Sequence, residues 1–557
     1  MLLSPIVFAF LCSVDARVYG EPRISPRQLP SLPPLLDATL GELRAGLDGR
    51  LFTSVDLVHA YIARTDEVNS RLRAVTEINP DALLIAAQLD GERARLGGSA
   101  LRSPLHGIPI LVKDLIATRD RMNNTAGSYA LLGAQVPEDS GVVAKLRRAG
   151  AIILGKTNLS QWAAARSDET VNGWSAYGGQ TLGAYYPDQS PSGSSSGSAV
   201  AASLGLAWAA LGTETTGSII GPAGRNNLVG IKPTVGLTSR HLVVPLSKHI
   251  DTVGPMARTV KDAAYLLSAM AGPDDRDQLT MAPPFSHVPD YAAACRSTSL
   301  RGRRIGVVRS LIREGLNRKV GPTAAAFESA LDVLREAGAE VIDVPVLPGI
   351  NPQHIPRSIE QLESILMAGA LTDLPTYFSQ LTVNPHRITS LAGLVAFTRG
   401  HPLEDYPARD TGFWDKAIQA GLTDSSPELG RMLREQMHLA GPLGLTGALQ
   451  NYSLDAIVGP ANTPVTIMSS AFVGTPIVTV PWGRYPEHAP LTKTNYGNLY
   501  QIGPNQPFGI SFTGSKWSEE TLIAIAYAFE QRTMVRKAVK PYIQPQTELE
   551  DVLRRKG

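Results

Sequence analysis

A lysine and two serines carry the chemistry available to this chain. Lys113 closes an apolar run in HGIPILVKDLIAT, Ser194 sits in the Gly/Ser-rich SPSGSSSGSAVAAS, and Ser218 follows 24 residues later in GTETTGSIIGPAG. Together they offer a base, a proton relay and a nucleophile, enough to cleave an amide. A serine hydroxyl needs a neighbouring base to take its proton as it attacks. Lysine does this only as the free amine, which at an unperturbed pKa of about 10.4 is carried by roughly one molecule in two thousand at pH 7. Burial must therefore disfavour the ammonium form. Lys113 has that setting. It follows Ile108, Ile110, Leu111 and Val112, an apolar run with Gly107 and Pro109 at its start, which reads as a buried strand delivering its last side chain inward.

The two serine loops differ in character. Pro191–Ala199 holds two glycines and five serines, suited to a tight backbone and a dense hydroxyl network. A flexible linker would have a similar composition, but Ala199, Val200, Ala201, Ala202 and Leu204 then read as a close-packed helix, which a linker does not need. The second loop, Gly212–Ser218, follows the apolar stretch Leu204–Leu211. A serine just after Gly217 can bring its hydroxyl to an acyl carbon while successive backbone N–H groups face the oxyanion. Ser218 is therefore assigned as nucleophile. Gly193–Gly197 also matches G-x-S-x-G, with Ser195 as the attacking residue, but that elbow needs a hydrophobic strand before it. Here the approach, Tyr186–Pro191, is polar and broken by proline.

These segments resemble the amidase signature family of serine hydrolases. The resemblance runs from about Leu36 to Leu549 and includes Leu154–Leu159, Gly230–Gly236, Asp251–Met256, Gly474–Pro476 and Phe529–Gln531. It implies that Ser218 attacks the carbonyl and that Ser194, preceded by a cis peptide, relays the proton to neutral Lys113 and returns one to the leaving nitrogen. It also implies an oxyanion hole of backbone N–H groups from Thr215, Thr216, Gly217 and Ser218, an acyl-enzyme opened by water, and no metal or organic cofactor. Many relatives have glycine where Thr216 stands. The loops around Ser194 and Ser218, with Gly173–Thr181, look closest to the peptide-amidase-like branch. Members acting on small acidic amides, and many others, carry arginine at the position of Ile220; its replacement removes one candidate carboxylate anchor, so the resemblance favours an apolar or peptide-like acyl group. Arg225 is the other candidate to point into the site, or else a structural arginine bonding loop carbonyls.

The elements that must position these residues read as α/β. Thr39–Glu42 and Thr53–Asp56 resemble capped helix starts, the second introducing Leu57, Val58, Tyr61 and Ile62 at helical spacing. Val142–Ala149 and Phe327–Ala337 read as helices stopped by glycine, each followed by a strand, Ala151–Leu154 and Val341–Val344. The resemblance makes this a large mixed central β-sheet surrounded by α-helices, a single domain over residues 36–549. It is flanked by a linker at 17–35 and a charged tail at 550–557. Leu347–Pro442 is proline-interrupted; the resemblance implies that it shapes the substrate entrance, and the alternative is a solvent-facing helical insert. Pro481–Pro507 is read with equal weight as a pocket edge or a surface loop.

With 557 residues, 43% hydrophobic and 18% charged, the chain can bury a substantial core. A formal charge of +2 without a basic stripe gives no case for nucleic acid. Leu2–Val14 is largely apolar and followed by Asp15-Ala16-Arg17, resembling a secretory signal at 1–16 and hence a secreted protein; it is short for a membrane span. Without that signal the expected location is cytoplasmic. Cys12 lies in this segment and Cys295 would remain alone. Asn123 and Asn451 head candidate glycan motifs; Asn158 does too, at an expected buried strand end. The ten histidines show no zinc-hydrolase spacing, and His106 reads as a structural hydrogen-bonding residue rather than a site residue. The expected partner is a small-molecule or peptide amide. The alternatives to a free amidase are an ammonia-donating amidotransferase-like subunit and an inactive binding homologue.

Overall fold

The structure, a computed structural model, describes residues 32–96, 101–310, 312, 321–350, 353–461 and 463–555. The expected signal segment 1–16 and Cys12 lie outside the described residues, as do most of the 17–35 linker and the last two residues of the tail. Eleven strands form one sheet. In chain order its members are β1 (Val75–Ile78), β2 (Pro109–Lys113), β3 (Ile152–Thr157), β6 (Ala209–Glu214), β7 (Val229–Lys232), β8 (Thr252–Ala257), β9 (Arg304–Val308), β10 (Glu340–Val344), β11 (Ala456–Pro460), β12 (Ile477–Arg484) and β15 (Pro507–Thr513). Two small ribbons lie outside it, β4 (Trp174–Ser175) with β5 (Gly179–Gln180), and β13 (Thr492–Lys493) with β14 (Tyr500–Ile502). The spatial order of the large sheet is β1-β3-β2-β6-β8-β7-β12-β15-β11-β9-β10.

The sheet is mixed. β2 runs parallel to both β3 and β6, whereas β6 with β8, β8 with β7 and β7 with β12 are antiparallel. Strands β2, β3, β6 and β8 are buried along their whole length, as expected of a sheet covered on both faces. Between β3 and β6, the all-buried helix Ser196–Ser203 packs against β6, β2 and β3, which is why Ala199–Ala202 are small and apolar.

The two N-terminal helices, Leu40–Asp48 and Ser54–Leu72, start at capping boxes, Thr39 with Glu42 and Thr53 with Asp56. Gly141–Arg148 leads into β3 and Gly321–Glu336 into β10. The chain reaches past the expected domain edge. Leu549–Arg554 is a helix packed on Ser54–Leu72, with Leu549 and Val552 buried, so the charged stretch after 549 is anchored by two apolar residues at helical spacing. Among the described residues no helix is long and apolar enough to cross a membrane.

The proline-interrupted stretch after Leu347 is largely helical: Ile355–Ser379, Leu391–Gly400, Gly412–Ala420 and Pro427–Ala440. A buried ion pair ties this insert to the catalytic half. The Arg166 guanidinium donates to Glu404 Oε2 at 2.9 Å, and Gln161 Nε2 donates to the same oxygen at 2.7 Å. The other carboxylate oxygen accepts from Ser128 Oγ at 2.5 Å and from the Tyr129 N–H at 2.7 Å. Four hydrogen bonds thus occupy the lone-pair directions of this buried carboxylate. Next to it, Trp162, Ala163 and Ala164 take left-handed backbone angles, and Trp162 packs edge-on against Phe378 and Trp414 of the insert.

Candidate active site

β2 ends as its sequence suggests, with Lys113 fully buried. Four oxygens surround its amine: Ser194 Oγ at 2.7 Å, Thr213 Oγ1 at 2.9 Å, Ser195 Oγ at 3.0 Å and the Thr213 carbonyl at 3.3 Å. Burial pushes the lysine down to about 7, and the carboxylates of Glu214 and Asp251 partly oppose that shift. At neutral pH the amine is therefore close to half neutral. An ammonium donates three hydrogen bonds; the neutral amine donates two and keeps a lone pair for a hydroxyl proton. Lys232 and Lys156 are also buried, and burial lowers them too, but both donate to backbone carbonyls, of Thr475 and of Ile116, and touch neither serine loop.

The serine-rich loop uses its hydroxyls individually. Ser196 Oγ donates to the Ser192 carbonyl at 2.6 Å, and Ser198 Oγ donates to the Leu211 carbonyl at 2.8 Å. Ser195 Oγ donates to the Thr213 carbonyl at 3.1 Å and accepts from the Thr213 N–H at 3.3 Å. Ser195 is wholly buried, so the G-x-S-x-G reading has no attacking hydroxyl to offer. The Gly193–Ser194 peptide is cis, as expected, and the Ser194 carbonyl accepts from the Ser160 N–H at 3.0 Å. Gly193 is required by space: a β-carbon there would lie 2.4 Å from both Asn172 Oδ1 and Ser160 Oγ.

The second loop leaves β6 and turns into the helix Ile220–Arg225. Glu214, at the end of β6, reaches across the turn, its Oε2 accepting from the N–H groups of Ile219 at 2.6 Å and Ile220 at 2.9 Å. That carboxylate satisfies the first donors of the helix and holds residues 215–218 in a protruding arc. Thr215 Oγ1 donates to Asp251 Oδ1 at 2.6 Å, and Asp251 Oδ2 accepts from the N–H groups of Leu246 and Ser247. Among the described residues, the N–H groups of Thr216, Gly217 and Ser218 donate to no protein acceptor. They are free to meet an oxyanion. Gly217 has φ +80°, which suits glycine, whereas Thr216 is not left-handed, so threonine sits there without backbone strain.

Ser218 is half-buried, and its hydroxyl has no hydrogen-bond partner among the described residues. Its carbonyl accepts from the Ser195 N–H at 3.1 Å, which pins the two loops together next to Ser194. The fold thus gathers Lys113, Ser194, the 215–217 arc and Ser218 at the C-terminal ends of the parallel neighbours β2 and β6, in the interior of the sheet. Sequence reasoning missed Thr213, Ser195, Glu214 and Asp251 as members of this cluster. The first three flank assigned residues, and Asp251 opens one of the quoted motifs, so adjacency was the available signal. His106 is elsewhere, its Nε2 3.0 Å from the Leu89 carbonyl. Asn123 has its side chain committed to Glu77, and Asn158 is buried against Gly179 and Thr181.

Two cavities lie near the cluster; Thr213, Thr215 and Asp251 line the first, and the second meets the serine loop at Ser190 and Ser192. One of about 220 Å³ lies beside Thr213 and Thr215, with Val243, Val244, Leu246 and Tyr377 among its walls; Tyr377 belongs to the helical insert. The other, of about 410 Å³, runs from Ser192 and Asn172 to the β13–β14 ribbon. Both regions left open between pocket and surface roles therefore contribute cavity walls.

The amidase family model matches residues 56–523, spanning both serine loops, Lys113 and the far side of the sheet. The chain belongs to the amidase family. The "Putative amidase" of Arthroderma benhamiae is 48% identical, over 95% of this chain and 91% of that one. A glutamyl-tRNA(Gln) amidotransferase subunit from Methylococcus capsulatus is 31% identical, over 89% and 97%. Among solved structures, native peptide amidase from Stenotrophomonas maltophilia superposes with a TM-score of 0.79 at 38% identity, covering 92% of this chain and 99% of that one. The stronger likeness to amidases than to the amidotransferase favours a free amide hydrolase.

Proposed function

We propose that this amidase hydrolyses a peptide-like or other carboxylic amide to the acid and ammonia or an amine, through an ester on Ser218. The neutral Lys113 amine takes the Ser194 proton as Ser194 takes that of Ser218, so the Ser218 oxygen attacks the carbonyl without a free alkoxide forming first. The oxyanion falls against the N–H groups of the 215–218 arc. Collapse of the tetrahedral adduct breaks the C–N bond, and the proton held by Lys113 returns through Ser194 to the departing nitrogen. Water then attacks the ester along the same relay and regenerates Ser218. Glu214 and Asp251 hold the arc and moderate the lysine; neither needs to touch the substrate.

The observation that carries this reading is the 2.7 Å contact between a fully buried, pKa-lowered lysine and Ser194, beside a half-buried Ser218 with an uncommitted hydroxyl. The test treats purified protein with a small fluorophosphonate at neutral pH and maps the adduct by peptide mass spectrometry. Labelling at Ser218 that weakens in Lys113→Ala is the expected result; labelling at Ser195 or none at all defeats the assignment. Release of ammonia from a peptide amide without a second polypeptide is the companion measurement, and strict dependence on a partner would favour the ammonia-donating alternative.

A further inference from the structure

The 410 Å³ cavity is part of a built cleft. One wall is the catalytic loop itself, since Ser192 lies two residues before Ser194, at most about 6.7 Å away between α-carbons across one trans and one cis peptide. The opposite wall includes Tyr496 and Leu499, between strands β13 and β14. The ribbon is stitched to the approach to that loop: the Ser190 N–H donates to the Tyr500 carbonyl and the Tyr500 N–H to the Asp188 carbonyl, both at 2.9 Å.

Two charged side chains line the cleft. Asp168 is neutralised by Lys416, whose Nζ lies 2.8 Å from Oδ1. Arg225 has no carboxylate partner among the described residues; its Nη1 donates to the Gln501 carbonyl. A guanidinium carries five donors, so this contact leaves capacity for a planar anion. By contrast Ile220 is fully buried and lines neither of the two cavities.

We infer that this cleft is the subsite for the acyl side of a peptide-like substrate, and that Arg225 selects an acidic side chain two residues before the one bearing the scissile carboxamide. The inference rests on the hydrolytic reading above. When the leaving group is ammonia, a cleft of this volume is filled only from the acyl side. The spacing follows from the backbone. Gly221 N–H donates to the Gly217 carbonyl, so the chain is helical from just past Ser218 to Arg225. Seven residues at 1.5 Å each place Arg225 about 10 Å beyond the nucleophile. An extended peptide covers about 3.3–3.6 Å per residue, so the third residue comes level with the Arg225 backbone and within reach of its long side chain.

The test measures binding, so it does not depend on turnover. In Ser218→Ala protein, titration calorimetry compares acetyl-Glu-Ala-Leu-amide with acetyl-Gln-Ala-Leu-amide. The expected result is about tenfold tighter binding of the glutamate peptide, as for one charge-assisted contact in an open cleft, narrowing as salt is raised. Adding Arg225→Gln should abolish the difference, whereas Arg225→Lys, which keeps the charge, should retain part of it. Equal affinity of the two peptides, a preference that survives Arg225→Gln, or no binding of either peptide would overturn the inference. Failure of wild-type protein to release ammonia from either peptide would instead count against the hydrolytic reading.

Discussion

The sharpest consequence of the site concerns Lys113 and pH. Its amine has to be neutral to accept the Ser194 proton, and burial brings it down to about 7 from the ordinary 10.5. Below that value the neutral fraction falls tenfold per unit, to about a tenth at pH 6 and about a hundredth at pH 5. If proton transfer to Lys113 is required, kcat/KM for a peptide amide should fall with the same slope on the acid side and level off by about pH 8. The sign is fixed by the chemistry, because the protonated lysine is the inactive form. Lys113→Arg separates basicity from positive charge: a guanidinium stays protonated throughout and cannot serve. Its turnover should drop by the about 10²–10⁴-fold that general-base catalysis supplies. Ammonia release measured from pH 5 to 9, with circular dichroism confirming the fold at each pH, reads both effects. A flat profile between pH 5 and 7, or Lys113→Arg retaining more than about a tenth of wild-type turnover, would refute the reasoning.

Glu214→Gln removes a carboxylate that raises Lys113 while keeping an acceptor for Ile219 and Ile220, so the acid limb should move to lower pH; a pH–rate profile unchanged by the substitution would remove Glu214 from the electrostatics. Gly217→Ala forces a β-carbon onto a backbone at φ +80°, with Ile467 methyl carbons 3.5 and 3.8 Å from it. Rearrangement of the N–H arc should cost about 10²–10³ in kcat with little change in KM, and steady-state kinetics showing the reverse pattern would contradict an oxyanion role. Glu404→Gln leaves the Arg166 guanidinium buried without its counter-charge, at a cost of about 3–5 kcal/mol. A urea midpoint indistinguishable from wild type would show that the pair contributes nothing to anchoring the insert.

Much of this arrangement is legible in the amino-acid sequence. The apolar run into Lys113 gives a buried strand because no polar residue interrupts it, and Thr39–Glu42 and Thr53–Asp56 announce helix starts through short-range capping geometry. The small residues after Ser198 give the all-buried helix for the same local reason. What sequence alone does not carry is pairing at a distance. That Thr213 turns its hydroxyl to Lys113, a hundred positions earlier, depends on β2 and β6 lying side by side in parallel. The Arg166–Glu404 pair, separated by 238 positions, has no periodic signature at all. Proline interruptions blurred the periodicity of the insert, so its helical reading could not be separated from a substrate-entrance one; among its described residues Pro356, Pro402 and Pro427 fall at helix starts, where a missing N–H costs nothing, and Pro375 sits inside a helix.

The four-oxygen cage around Lys113 has a chemical consequence apart from catalysis. An amine that is half neutral at physiological pH is ordinarily the first target for dissolved carbon dioxide, cyanate and activated esters. Here Nζ has no exposed surface and is hemmed in by Ser194, Ser195 and Thr213. A proton reaches it through the Ser194 hydroxyl, but an electrophilic carbon has no approach. The fold thereby separates basicity from nucleophilicity in a single side chain, keeping a proton acceptor poised near neutral pH that is shielded from covalent capture.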